Sequence, residues 1–132
     1  MTTTTVDRTI TAPATAVFDL LTTSEGLVQW WPSTAEIDLR VGGSYHFHWA
    51  GPDVHLRGEI VAVDAPTLFA YTWSWDHEEL PAGEVRIELS EGDGITSLHL
   101  EHTASTPEEA SDHRAGWEHF LGRLTEVAEA GS

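Results

Sequence analysis

Between residues 44 and 102 apolar and polar side chains alternate with a period of two, and this alternation leaves few folds open. In residues 44–49, Tyr45, Phe47 and Trp49 face one side, while His46 and His48 face the other. Residues 55–63 place Leu56, Gly58, Ile60 and Ala62 on one face. Residues 68–75 do the same with Phe69, Tyr71, Trp73 and Trp75. Residues 84–89 turn Val85, Ile87 and Leu89 inward, and residues 95–102 turn Leu98 and Leu100 inward, with His102 at the end. Gly51-Pro52, residues 64–67, a polar loop at 76–83 and a Gly-Asp-rich turn at 90–94 separate these runs. Residues 35–39, before a turn at Val41-Gly42-Gly43, read as a further strand, and residues 6–11 as the first.

Register follows by arithmetic from the turns. A hairpin tip at Gly51-Pro52 sets Phe47 opposite Leu56 and Tyr45 opposite Gly58. A tip at Ala65-Pro66 sets Leu56 opposite Trp75, Gly58 opposite Trp73 and Ile60 opposite Tyr71. The following loop is expected to bring Trp73 opposite Ile87, and the last hairpin to pair Arg86 with His99. Every large apolar residue then lies on one concave face. A slip of one residue would destroy that agreement.

The helical segments are fewer. Ala12-Pro13-Ala14-Thr15 opens a helix over residues 14–22 with Pro13 near its first turn, and Ser24 is an N-cap for a second short helix stopped by Pro32. The last helix, 107–130, carries Thr106 as its cap, Pro107 in its first turn and two glutamates at its positive end. Ala110, His113, Trp117, Phe120, Leu121, Leu124 and Val127 form its apolar stripe. At about 35 Å it is long enough to cross a sheet. Gly116 interrupts it at a cost of about 1 kcal/mol relative to Ala, which a close approach to a strand or a ligand would explain. The order predicts one α+β domain over residues 1–132, a curved antiparallel sheet of about seven strands whose apolar face is covered by the last helix.

Composition excludes several partners. The chain has 22 acidic residues against six arginines and no lysine, a net charge of −16. That charge repels nucleic acid and anionic membranes. No apolar run reaches the length of a membrane span, and the N-terminus lacks the basic start and apolar stretch of a signal peptide. A cytoplasmic protein is expected. With no cysteine, disulfides and thiolate metal sites are excluded.

Particular residues in this order carry a family resemblance. They are Trp30-Trp31-Pro32 after the second helix, Val41-Gly42-Gly43 before a Tyr/Phe-rich strand, Gly58-Glu59-Ile60 in the next strand, and Gly116-Trp117 with Leu121 and Leu124 in the last helix. Together they resemble the activator of heat-shock protein 90 ATPase homologues, within the START/polyketide-cyclase/major-birch-allergen superfamily known as SRPBCC. The resemblance runs from about Val6 to Glu129. It implies a helix-grip fold with a cavity between sheet and long helix, in which superfamily members bind lipids, sterols, polyketides and other apolar molecules. Only some members are enzymes, bacterial single-domain members are mostly of unknown function, and the co-chaperone role belongs to eukaryotic members with an additional N-terminal domain.

The expected ligand is a small apolar or aromatic molecule, lined by Phe47, Trp49, Tyr71, Trp73, Trp117 and Phe120. Gly58, small between Tyr45 and Trp73, either leaves a void there or simply accommodates its neighbours. His102 and His113 read either as hydrogen-bonded core or rim histidines or as polar contacts at the pocket mouth. No catalytic residue is assigned and no cofactor is implied. A cyclase, dehydratase or hydrolase using the same pocket is the second reading, and a stress-related protein-interaction module with a solid core is the third. His46, His48 and His55 converge on the outer face, but Arg57 opposite His46 opposes a cation, and no metal site is assigned. A homodimer is compatible with the sequence.

Overall fold

The computed structural model describes residues 2–77 and 83–131. In chain order the elements are β1 (Thr2–Ile10), α1 (Ala14–Thr22), α2 (Ser24–Leu27), β2 (Thr34–Ile37), β3 (Ser44–Trp49), β4 (Val54–Asp64), β5 (Leu68–Trp75), β6 (Gly83–Gly92), β7 (Ile95–Ala104) and α3 (Pro107–Ala130). The strands form one antiparallel sheet in the order β1-β7-β6-β5-β4-β3-β2. This is the expected α+β helix-grip architecture, with α3 and the short helices on one face of the sheet. No helix among the described residues is long and apolar enough to cross a membrane.

The alternation settles which face is buried. Tyr45, Phe47, Leu56, Ile60, Phe69, Tyr71, Val85, Ile87, Leu98 and Leu100 are all buried on the concave side. Phe47 pairs with Leu56, Tyr45 with Gly58, Leu56 with Trp75 and Ile60 with Tyr71, as the turns required. Two pairings differ. Trp73 faces Gly83 rather than Ile87, which faces Phe69. An alternating pattern tolerates any even slip, and positions 78–82 of the expected loop lie outside the described residues. The β6 register is fixed from its other end, where Leu89 N–H donates to Thr67 O at 2.8 Å. In the last hairpin Arg86 faces Glu101 and His99 faces Glu88, two residues from the expected match. There Asp93 and Gly94 alone form the turn, both at positive φ (55° and 77°), so the strands run on to Gly92 and Ile95. Two boundaries also move: β1 starts at Thr2, and α2 ends at Leu27, before the tryptophan pair.

Helix α3 begins as its sequence dictates, with Thr106 Oγ1 accepting from Glu109 N–H at 3.1 Å and Pro107 in the first turn. Its backbone lies along β1 and β7 rather than over the middle of the sheet. Side chains pin it to the β1 side along its length. Thr4 Oγ1 donates to Ala110 O at 2.6 Å, Arg8 Nη2 to Glu118 O at 2.8 Å, and Thr11 N–H to Glu129 Oε2 at 2.9 Å. Over β3, β4 and β5 the helix is held further away, and aromatic side chains span the gap.

Gly58 leaves no void. The Tyr45 ring passes over it so that the phenol O–H donates to Thr72 O. A Cβ at position 58 would lie 2.4 Å from that carbonyl oxygen and 2.6 Å from Tyr45 Cε2. Beside it Glu59 N–H donates to Thr72 Oγ1 at 2.9 Å, and the β4–β5 register shifts between Ile60 and Ala62. Gly58→Ala is therefore expected to lower the unfolding free energy by roughly 1–3 kcal/mol through overpacking. Denaturant melts would read this, and an unchanged midpoint would show that Tyr45 moves aside freely.

Candidate functional site

Where α3 stands away from the sheet, a cleft of about 240 Å³ opens between the helix and the β3–β5 region. Trp49, Trp73 and Trp75 come from the sheet, Pro52 and Val54 from the β3–β4 hairpin, and Trp31 from the segment between α2 and β2. Helix α3 supplies Asp112, His113, Gly116, Trp117 and Phe120. These positions follow helical geometry, since residues three or four apart share one face. At Gly116 a Cβ would meet nothing within 4 Å, so the missing side chain is part of the opening.

Trp31 is the centre of this wall. Its ring lies 5.0 Å from Trp117, 5.3 Å from Trp49, 5.4 Å from Phe47 and 5.8 Å from Trp73. It also stacks on Trp30 at 5.3 Å, and the Trp30 N–H donates to Leu20 O at 2.7 Å. This second indole anchors the first to α1. The chain holds six tryptophans, and five of them line the cleft.

The sequence-derived site residues divide into two groups. Trp49, Trp73, Trp117, Phe120 and His113 come together on the cleft wall. Phe47, Tyr71 and His102 lie beneath it, each fully or almost fully buried. Phe47 packs under Trp31, and Tyr71 sits between Tyr45 and Phe69 in the core. Sequence reasoning missed Trp31, Pro52, Val54, Trp75 and Asp112 as wall residues, although it placed Trp75 on the inward face. Trp31 and Pro52 lie in irregular segments where no periodicity orients a side chain. Asp112 and Gly116 were legible, because with Phe120 they form one i, i+4, i+8 line on α3.

The polar groups beneath the wall are constrained. Trp117 Nε1–H donates to His102 Nδ1 at 2.9 Å, so His102 is the neutral tautomer with its proton on Nε2. Its ring is stacked on His113 at 3.8 Å and lies 4.5 Å from Trp73. Burial, with the nearby His113 second, pushes the His102 pKa down to about 3. Among the described residues, neither His102 Nε2 nor Trp73 Nε1 has a hydrogen-bond partner. Both are N–H donors, so this part of the protein is suited to an acceptor atom rather than to another donor. Burial alone raises the Tyr45 hydroxyl pKa, and burial with Tyr45 nearby raises that of Tyr71, so both stay neutral phenols.

The low His102 pKa has a stability consequence. The unfolded chain takes up this proton near pH 6.5, whereas the folded chain resists until about pH 3. The stabilisation is complete above about pH 6.5 and is lost as pH falls toward 3. One such proton contributes a slope of about 1.4 kcal/mol per pH unit. His102→Asn keeps an acceptor for Trp117 but cannot titrate. Its unfolding free energy is expected to fall less steeply between pH 6 and pH 4 than that of the parent, by roughly that slope. Equal slopes in urea melts would contradict the assignment.

Comparison with known proteins finds the same fold in solved structures. CalU16 from Micromonospora echinospora superposes with a TM-score of 0.80 at 26% identity, over 92% of this chain and 73% of that one. Protein MLL2253 from Mesorhizobium loti gives 0.88 at 21% identity, over 99% of each chain. The Aha1 dimer from Colwellia psychrerythraea gives 0.81 at 19% identity, over 100% of this chain and 99% of that one. The last two likenesses concern the fold alone. No curated protein matches the chain in sequence. The profile of the activator of Hsp90 ATPase homolog 1-like proteins matches residues 11–129, nearly the whole sheet-and-helix unit just described, and the chain belongs to that family.

Proposed function

We propose that the protein binds a small, largely apolar aromatic molecule in the cleft between α3 and the β3–β5 region, acting in the cytoplasm. The observation that carries this reading is the wall itself, where five indoles and Phe120 converge on one opening. Aromatic rings supply large contact areas at low entropic cost, and rings meeting edge to face present both faces and edges against which a further ring can pack. Trp31 and Trp49 meet at 72°, and Trp73 and Trp75 at 88°. At about 240 Å³ the opening suits one or two fused rings. A dry cavity of ~150 Å³ already holds benzene. The ligand is expected to carry an acceptor, which can satisfy the buried Trp73 N–H, without a partner among the described residues, once the indole turns toward the opening. His113 and Asp112 give the rim its polarity.

An interaction module would have a solid core at this place, so the cleft favours the binding reading over that alternative. The Colwellia relative is a dimer. A homodimer of this chain is a separate proposal, tested by sedimentation.

The probe of choice is 2-naphthol, a bicyclic ring with one hydroxyl. Titration followed by tryptophan fluorescence should saturate at one molecule per chain, with a Kd between about 10 µM and 1 mM for a ligand of this size. Gly116→Leu should remove the binding, lowering affinity at least tenfold. The fold should hold or gain up to about 0.8 kcal/mol, since Leu is a better helix former than Gly. Linear, non-saturating quenching, or equal affinity in the Leu variant, would contradict the cleft as the binding site.

A further inference from the structure

The face of the sheet opposite the cleft carries a second constellation. His48 and His55 are directly paired across β3 and β4, and Asp53 in the connecting turn reaches back toward both. His48 Nε2 lies 2.9 Å from Asp53 Oδ1, and His55 Nε2 lies 3.6 Å from the same oxygen. All three ligand atoms fall within 4.8 Å of one another. We propose that this hairpin binds a divalent transition-metal ion, of the zinc class, through His48 Nε2, Asp53 Oδ1 and His55 Nε2.

Geometry supports the donor set. With metal–ligand bonds of about 2.0–2.2 Å, two atoms of a tetrahedral shell stand about 3.4 Å apart. The two observed separations from Asp53 bracket that value. The ion takes the position of the proton now shared by His48 and Asp53. The rings of His48 and His55 are stacked at 4.2 Å, 12° from parallel, and must splay by side-chain rotation to aim both lone pairs at one ion. Neither ring is buried, so that rotation is open to them. The backbone already supplies the rest, since Asp53 holds a φ of 54°, a left-handed conformation that Asp adopts readily.

A further histidine orients the set. His46 Nε2 lies 2.8 Å from His55 Nδ1. If His55 Nδ1–H donates to His46, the His55 tautomer is fixed with its Nε2 lone pair free for a metal. The cation that opposes a metal in the sequence is also accounted for. Arg57 Nε donates to Asp76 Oδ2 at 2.8 Å and Oδ1 at 3.1 Å, so its charge is matched locally. Two imidazoles and a carboxylate with open positions suit zinc, nickel or cobalt rather than calcium or magnesium. Because Pro52 and Val54 flank Asp53 and line the cleft, the ion sits behind the outer lip of the cleft, and its binding does not depend on the cleft being occupied.

The test is calorimetric titration of Zn²⁺ into the full chain without a histidine tag at pH 7.5. The expected result is one ion per chain with a Kd on the order of 10 µM or tighter. His55→Ala and Asp53→Asn should each weaken binding at least thirtyfold. His46→Ala, which removes a positioning residue, should weaken it by about tenfold to a hundredfold. His119→Ala, on the exposed side of α3, should leave it unchanged. Zinc should raise the melting temperature of the parent and not that of His55→Ala, since only a site in the folded state stabilises it. A Kd above about 1 mM, several ions per chain, or equal loss in the His119 variant would overturn the site and leave only scattered surface binding.

Discussion

Trp31 stands between the sheet and the long helix, 5.8 Å from Trp73 on one side and 5.0 Å from Trp117 on the other. A single indole is thick enough to stop α3 from settling onto β5. The helix is pinned to β1 by bonds from Thr4, Arg8 and Thr11, so it cannot retreat as a whole. The result is a wedge-shaped space, closed near β1 and β7 and open near β3–β5. Trp30 keeps the wedge in place, because its N–H is committed to Leu20 O and its ring backs Trp31. The cleft is thus a consequence of packing. Closing it would require Trp31 to leave a position where its ring meets six other aromatic rings.

The two faces of the β3–β4 hairpin do different chemistry because strand geometry separates neighbours. Trp49 goes to the cleft while His48 goes outward, and Val54 faces the cleft while Asp53 and His55 serve the outer cluster. The net charge of −16 accommodates both roles. It does not disturb an apolar cleft, and it favours cations over anions at the outer face. Beneath the cleft the polar groups are neutral and donor-rich. His102 is held in one tautomer by Trp117, which ties a buried strand residue to the helix and to the wall in a single bond.

The fold was legible because each of its signals was redundant. Alternation, turn chemistry and the capped C-terminal helix all demand one apolar sheet face and one covering helix. Where a signal stood alone, it was ambiguous. The β5–β6 register depended on a loop without a diagnostic turn, and an even slip costs nothing in pattern, so Trp73 was matched to Ile87 instead of Gly83. The site was half legible for a similar reason. Inward-facing residues are identified by period, but whether an inward residue meets a cavity or another side chain depends on depth. Tyr71 and Trp73 share a strand face, yet Tyr71 is covered by Tyr45 and Phe69 while Trp73 reaches the opening. In the sequence Gly58 marks either a void or a fit for its neighbours, and Gly116 a close approach to a strand or a ligand. Tyr45 fills the first, and nothing fills the second.

The most direct test of the cleft is the set of six indole N–H signals in a ¹⁵N–¹H spectrum during titration with 2-naphthol. The rings of five of these tryptophans line the cleft, and the sixth, Trp30, is buried behind it with its N–H bonded to Leu20 O. Binding in the cleft should shift the signals of Trp31, Trp49, Trp73, Trp75 and Trp117 together along one saturating curve, with Trp73 moving strongly if its N–H finds the ligand oxygen and Trp30 moving least. Shifts absent up to the solubility limit, or spread evenly over all six, would contradict a binding cleft between sheet and helix.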